Sequence, residues 1–195
     1  MTDITRRLFG ALVLGAVALS AAPTLAQTGT PHLLLTLEGG DVDIELLPAI
    51  APQHVERIVT LTERGDYNNV VFHRVIEGFM AQTGDVKFGK SDAEGFDLAR
   101  AGMGGSELPN VPAEFNAESF VRGAVGAARS QDPNSFNAQF FIVTADSKFL
   151  DGQYTVFGKV LSGMELVDAL EKGPQSQNGA VANPDRIVSA RIEYR

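Results

Sequence analysis

The chain has 195 residues, of which 44% are hydrophobic, and this suits one domain with a short appendage. Sixteen lysine and arginine residues against 24 aspartate and glutamate residues give a net charge of −8, which argues against nucleic acid as a partner. The sequence contains no cysteine, which excludes disulfides, a thiol nucleophile and a zinc-thiolate site. We therefore expect a fold that is held by packing, with small molecules or proteins as partners.

The first 26 residues have the layout of a secretory signal peptide. Arg6 and Arg7 precede an uncharged run from Leu8 to Ala22, and small residues follow up to Ala26. The run is shorter than the roughly 20 residues of a membrane-spanning helix. We predict that residues 1–26 are cleaved after export by the general secretory or the twin-arginine route. The mature protein is then periplasmic, without stable membrane insertion, and a retained N-terminal anchor is the alternative.

Beyond a short linker at residues 27–31, one domain is predicted over residues 32–195, and it opens with a β-hairpin. Polar and apolar residues alternate from Asp41 to Leu46, which is typical of a half-buried strand. The next element, at residues 51–64, has apolar residues at helical spacing and a proline in its first turn, and we predict an amphipathic helix there.

The rest of the chain is predicted to be mainly β. Residues 86–114 are rich in Gly, Asp, Ser and Pro without a sustained period, which indicates long surface loops. Many short strands with only two helices favour an antiparallel sheet or barrel. The remaining predicted elements are strands at 70–72, 139–144, 154–160 and 186–193, a helical turn within 146–152 and a second helix at 164–170.

Three segments of this sequence are long, specific motifs. Residues 72–85 read FHRVIEGFMAQTGD, residues 122–142 read RGAVGAARSQDPNSFNAQFFI, and residues 149–160 read FLDGQYTVFGKV. Together, these segments resemble the signature motifs of the cyclophilins, and the resemblance covers essentially all of residues 32–193. It implies an eight-stranded antiparallel β-barrel capped by two helices, with the substrate groove on the outer surface, and peptidyl-prolyl cis/trans isomerase activity without a cofactor or metal.

Rotation of an X-Pro bond is slow because resonance between the nitrogen lone pair and the carbonyl gives a barrier of about 18 to 20 kcal/mol. A hydrogen-bond donor aimed at the proline nitrogen stabilises the twisted bond more than the planar one. By resemblance, Arg74 is this donor, Gln82 binds the substrate backbone, and Gln139 supports Arg74. The other site residues that the resemblance implies line the groove and its apolar proline pocket: Phe79, Met80, Ala128, Arg129, Phe141, Phe149, Leu150 and Tyr154.

The three histidines are predicted to take no part in the reaction. Strand neighbours point in opposite directions, so if Arg74 faces the groove, His73 faces the interior, where we expect a hydrogen-bonded structural role. His32 and His54 carry no signal beyond a loop or a helix surface.

Two site residues differ from those of many eukaryotic cyclophilins. Phe149 stands where those members have Trp, and Tyr154 stands where they have His, which is similar to bacterial periplasmic relatives. Phenylalanine lacks the indole N–H, a donor that is available to cyclosporin, so we expect weak cyclosporin binding.

The sequence thus predicts a monomeric isomerase that accelerates X-Pro rotation in proline-containing peptides and unfolded exported proteins. A non-catalytic binding module or holdase that retains the groove is the alternative. An isomerisation assay on the wild type and Arg74→Ala distinguishes them, since equally low rates from both favour the binding module.

Overall fold

The computed structural model describes residues 29–195, so the predicted signal peptide lies outside the described residues. Within that part, eight β-strands and two α-helices form the fold. The strands are β1 (Pro31–Leu37), β2 (Gly40–Leu46), β3 (Arg74–Ile76), β4 (Met80–Thr83), β5 (Ala124–Ala127), β6 (Phe140–Val143), β7 (Val156–Ser162) and β8 (Ser189–Tyr194), and the helices are α1 (Pro52–Glu63) and α2 (Met164–Ala169).

All eight strands of the described chain belong to one antiparallel sheet. Their order across the sheet is β3-β4-β6-β5-β7-β2-β1-β8. The sheet curls into a half-barrel. The predicted fold class, mainly β with eight antiparallel strands and two helices, is confirmed.

The first hairpin and the first helix form as the pattern predicts. Strand β2 buries Val42, Ile44 and Leu46 completely, and its polar residues lie between them on the other face. Helix α1 has a proline in its first turn and packs Ile58 and Leu61, both fully buried, into the same core.

The pleat of β4, β6 and β5 separates two apolar clusters. Ala81, Ile142 and Val125 are paired across these strands and belong to the main core under α1. Because alternate residues of a strand point to opposite faces, their neighbours lie on the outer face of the sheet. The outer face carries the second, smaller cluster: Met80, Phe120, Ala124, Phe141, Val143, Leu150 and Val156.

Four of the β elements differ from the sequence prediction. The strand expected at 70–72 forms only isolated bridges. The regular strand β3, which forms a hairpin with β4, begins at Arg74 instead. Strands β4 and β5 were not predicted, because four residues are too few to show a period and β5 is interrupted by Gly126. The closing strand begins at Ser189, three residues later than expected.

The long segment at 86–114 is mostly loop, with one short 3₁₀ helix at Leu98–Arg100. Residues 87–104 of this segment fold around the carboxylate of Asp85, which is fully buried and accepts four backbone N–H bonds, from residues 87, 88, 102 and 104. Among the described helices, none has the length and apolarity that crossing a membrane requires.

Candidate active site

A row of residues runs across the outer face of the sheet, starting at the edge strand β3. Arg74 on β3 is paired with Gln82 on β4, Gln82 with Phe141 on β6, and Phe141 with Gly126 on β5. Residues directly opposite each other in antiparallel strands point to the same face, so strand register alone brings a cation, an amide and an aromatic ring together.

Gly126 leaves room for the aromatic ring in this row. A Cβ atom at this position would lie 2.5 Å from Phe141 Cζ and 2.6 Å from Phe120 Cε1. The two rings stack over the strand with centroids 5.6 Å apart. The missing side chain therefore lets Phe141 lie close to the sheet and form a buried floor.

A cavity of about 310 Å³ opens above this floor. Its lining includes ten of the eleven site residues that the sequence predicted, and the eleventh, Gln139, lines a neighbouring cavity. This cavity is called the smaller cavity below, and the residues that line it are Arg74, Phe79, Met80, Gln82, Ala128, Arg129, Phe141, Phe149, Leu150 and Tyr154.

The guanidinium of Arg74 is held at one wall of this cavity. Nη1 donates to Gln82 Oε1 at 3.2 Å and lies 3.7 Å from Met80 Sδ. Nε and Nη2 donate to the carbonyl oxygen and to Oδ1 of Asn178, both at 2.9 Å. Burial lowers the pKa of Arg74 from its ordinary value, yet arginine remains charged at any physiological pH.

A chain of amide hydrogen bonds extends from Arg74 into the long loop. Gln82 Nε2 donates to Gln139 Oε1 at 3.0 Å, and Gln139 Nε2 donates to the carbonyls of Gly102 and Gly104 at 2.9 and 2.7 Å. Arginine only donates and carbonyls only accept, so both amide orientations are fixed from the two ends of the chain. Gln139 contacts Gln82, and any support that it gives Arg74 passes through that residue.

The other walls of the smaller cavity are apolar and aromatic. Met80 and Leu150 are buried, and the Phe141 ring meets Tyr154 edge to face with centroids 5.7 Å apart. Phe79 and Phe149 form the rim with centroids 5.6 Å apart, and Phe149 is 65% exposed. The cavity thus offers an apolar interior beside the charged wall of Arg74.

Arg129 separates the two cavities and lines both. Its guanidinium lies 4.4 Å from the centroid of the Tyr154 ring and donates to the carbonyls of Gln153 and Ser130. The second cavity, of about 460 Å³, is the more polar of the two and is lined by Gln139 and by glycine, serine and asparagine residues from 102–110 and 130–137.

The predicted interior position of His73 is wrong. Its ring packs against Gly102 and lines a third cavity, beside Arg74 and Asn178, and its Nδ1 is buried without a hydrogen-bond partner. Desolvation lowers the pKa of His73 to about 4. His73 precedes β3, so the alternation that was used to orient it does not apply.

The predicted surface positions of His32 and His54 are also wrong. His54 is buried on α1, stacks on Phe136 with centroids 4.5 Å apart, and lies 2.6 Å from the carboxylate of Glu114. His32 is buried on β1 against Asp43 at 2.8 Å. The partner of His54 lies 60 residues away in the sequence, and the partner of His32 lies 11 residues away on the facing strand β2.

Two residues at the site were missed by the sequence analysis. Asn178 belongs to a predicted loop, and the only local signal is the Asn-Gly dipeptide that it forms with Gly179, a turn signal. Asp85 ends the first motif, but nothing local shows that it binds the loop against which Gln139 rests. In the described residues, no group of three or more His, Asp or Glu side chains is placed to hold a metal ion.

Comparisons with known proteins identify the family of this chain. The family model described as cyclophilin type peptidyl-prolyl cis-trans isomerase/CLD matches residues 32–192. A Brucella suis protein named probable peptidyl-prolyl cis-trans isomerase is 57% identical over 185 residues, which cover 95% of this chain and 92% of that protein. The peptidyl-prolyl cis-trans isomerase A of Dickeya dadantii is 33% identical, over 97% of this chain and 98% of its own.

A solved structure shows the same fold. The cyclophilin AquaCyp293 from Hirschia baltica superposes with a TM-score of 0.65 at 28% identity, over 82% of this chain and 72% of that chain. The family match covers most of the chain, and the curated relatives are matched over nearly their full length. The chain therefore belongs to the cyclophilin family, in its bacterial type, and is a peptidyl-prolyl cis-trans isomerase.

Proposed function

We propose that this enzyme accelerates X-Pro rotation in exported proteins, with Arg74 stabilising the twisted amide while the apolar cavity holds the proline ring. The observation that carries this proposal is the position of the Arg74 guanidinium, at the wall of a cavity whose floor is Phe141. The isomerase activity follows from the family, and the division of labour among the residues is our proposal.

The chemistry requires a fixed donor and a grip on the ring. When the X-Pro bond twists, the lone pair localises on the proline nitrogen, and a positive donor aimed at it lowers the barrier. Arg74 supplies this donor, and its hydrogen bonds to Gln82 and Asn178 fix it before substrate arrives, so little reorganisation is needed during the reaction.

The apolar walls fit the proline ring. Met80, Phe141 and Leu150 are buried and present carbon surface, and Phe79 and Phe149 close the rim. A ring held there stays still while the preceding carbonyl rotates. Gln82, also in the cavity wall, is our candidate to bind the substrate backbone, and the main chain at Ala128 and Arg129 is our candidate for the adjoining groove.

An isomerisation assay with a proline tetrapeptide tests the role of Arg74. We expect Arg74→Ala to lower kcat/KM by about a hundredfold, the range for loss of one donor to developing charge. Arg191→Ala is the matched control, because it removes an exposed arginine of β8 that pairs with Asp41 outside the cavity. A wild-type rate from Arg74→Ala would refute the proposed mechanism.

We also propose that the enzyme acts in the periplasm, as a monomer that assists the folding of exported proteins. The signal-like layout of residues 1–26 supports export. Strand β1 begins at Pro31, so cleavage after Ala26 removes no residue of the sheet. Prolyl isomerisation takes tens to hundreds of seconds uncatalysed, which makes it a slow step for a client protein.

Fractionation followed by intact mass measurement tests this part. We expect the periplasmic fraction to contain a chain that begins at Gln27. A chain of full mass in the membrane fraction would instead support the retained anchor. Refolding of a proline-limited client, with wild type and Arg74→Ala compared, tests whether the activity assists folding.

A further inference from the structure

The guanidinium of Arg74 is held by more than the site residues that the motifs supply. Arginine has five N–H donors, and the described residues provide four contacts for them. Two of these, from Nε and Nη2, go to a single residue, Asn178, which lies 104 positions further along the chain. Asn178 therefore takes one whole edge of the guanidinium plane.

Both acceptors on Asn178 are fixed in direction. The residue has φ 55° and ψ 30°, a left-handed conformation that asparagine tolerates better than most side chains. In this conformation the backbone carbonyl and the side-chain Oδ1 both face Arg74. The amide orientation is unambiguous, since Nη2 can only donate and only Oδ1 can accept.

The turn that carries Asn178 is anchored against strand β3. Val75 N donates to the Gly179 carbonyl at 2.8 Å, and Val181 N donates to the His73 carbonyl at 3.2 Å. Gly179 packs so closely that a Cβ atom there would lie 2.4 Å from Ile76 Cγ1. The turn is thus attached to β3 on both sides of Arg74, and it moves with the strand that carries the guanidinium.

We propose that Asn178 is a positioning residue, which orients the Arg74 guanidinium by binding its Nε–Nη2 edge and leaves an Nη2 proton at the far end for the substrate. The proposal rests on the role of Arg74 proposed above. Gln82 constrains only Nη1 and permits rotation about that contact, whereas the two bonds to Asn178 fix the plane. Removal of the side-chain acceptor should then disturb the rate more than the fold.

Asn178→Gly tests the proposal with little change to the backbone. Glycine keeps the left-handed conformation and the carbonyl acceptor but lacks Oδ1. Asn178 is exposed on its outer side, so we expect kcat to fall by about fivefold, the effect of one modest hydrogen bond, with KM little changed. The NMR signals of the Arg74 Nη2 protons should shift and exchange faster with water, because Nη2 loses its acceptor while Nε keeps the backbone carbonyl.

Asn69 provides a matched control. It is the other non-glycine residue of the described chain with positive φ, at 61°, and its side chain donates to Asp92 in a different part of the surface. Asn69→Gly should lower the Tm by about as much as Asn178→Gly does, while it keeps the wild-type kcat and the wild-type NMR signal of Arg74. Asn178→Asp, which keeps an oxygen acceptor, should retain the Arg74 signal.

The outcomes separate this inference from the proposed function. A wild-type kcat and Arg74 signal in Asn178→Gly, together with an inactive Arg74→Ala, would overturn the role of Asn178 alone. An active Arg74→Ala would overturn the proposed mechanism and this inference with it.

Discussion

Substitution of Gln139 by methionine tests the amide chain that links the long loop to Arg74. Methionine has a similar length but makes none of the three hydrogen bonds, one from Gln82 and two to the carbonyls of Gly102 and Gly104. At about 1 kcal/mol each, the sum is about 3 kcal/mol. Gln139 is half-buried, so water replaces part of the lost hydrogen bonding, and we expect the free energy of unfolding to fall by about 2 kcal/mol.

The same substitution should also slow the reaction. Arg74 keeps Asn178 and the Gln82 acceptor, but Gln82 loses the contact that fixes its own side chain. Ordering a glutamine side chain costs up to about 1.5 to 2 kcal/mol, which corresponds to about a tenfold fall in kcat/KM. A proline tetrapeptide assay measures the rate, and calorimetry should show Tm lowered by about 4 to 8 °C.

Asn116→Leu is the matched control for this experiment. Asn116 is also half-buried and also makes three hydrogen bonds, two donated to the carbonyls of Glu114 and Val156 and one accepted from Glu118 N, but it lines neither cavity of the site. We expect a similar fall in Tm with a wild-type rate well below Tm. If Asn116→Leu slows the reaction as much as Gln139→Met, the rate effect reports general loosening, and the reasoning about the amide chain is wrong.

Three further predictions concern the floor, the third cavity and the rim. Gly126→Ala places a methyl group against two buried rings, so we expect about 1 to 3 kcal/mol of destabilisation and a reduced kcat/KM, and unchanged values in both assays would contradict the packing argument. The pKa of His73 is about 4 in the folded protein, below its ordinary value of 6.5. The neutral His73 ring therefore contributes fully to the free energy of unfolding above pH 6.5, and this contribution is lost as the pH falls towards 4. Urea unfolding should show that the free energy of unfolding falls less between pH 7.5 and pH 4.5 in His73→Asn than in the wild type. Equal falls in the two proteins would contradict this role of His73. Cyclosporin should bind the wild type weakly and Phe149→Trp more tightly in a calorimetric titration, because tryptophan restores an N–H donor, and nanomolar affinity of the wild type would contradict this.

The sequence was sufficient to predict the fold class and the residues of the smaller cavity. Alternation along β2 predicted the buried set Val42, Ile44 and Leu46, because a half-buried strand repeats every two residues. The three motifs supplied the family and, through it, the ten residues that line the cavity. These successes rest on local patterns and on a long specific resemblance, both of which can be read without coordinates.

Short or irregular elements were not predictable in the same way. Strands β4 and β5 have four residues each, which is too short for a period to be distinguished from chance. His73 was oriented by an alternation that begins only at the next residue, and His54 was assigned to a surface because its partner, Glu114, lies 60 positions away.

Two contributions to the surroundings of Arg74, those of Asn178 and Asp85, were decided by the tertiary structure alone. Asn178 reaches Arg74 from a turn near the end of the chain, and Asp85 shapes the loop whose carbonyls hold Gln139. A strand or helix signals its buried face by a repeat, because its backbone geometry repeats. A loop has no repeating geometry, so its contacts depend on where distant strands place its ends, and only the folded chain reveals them.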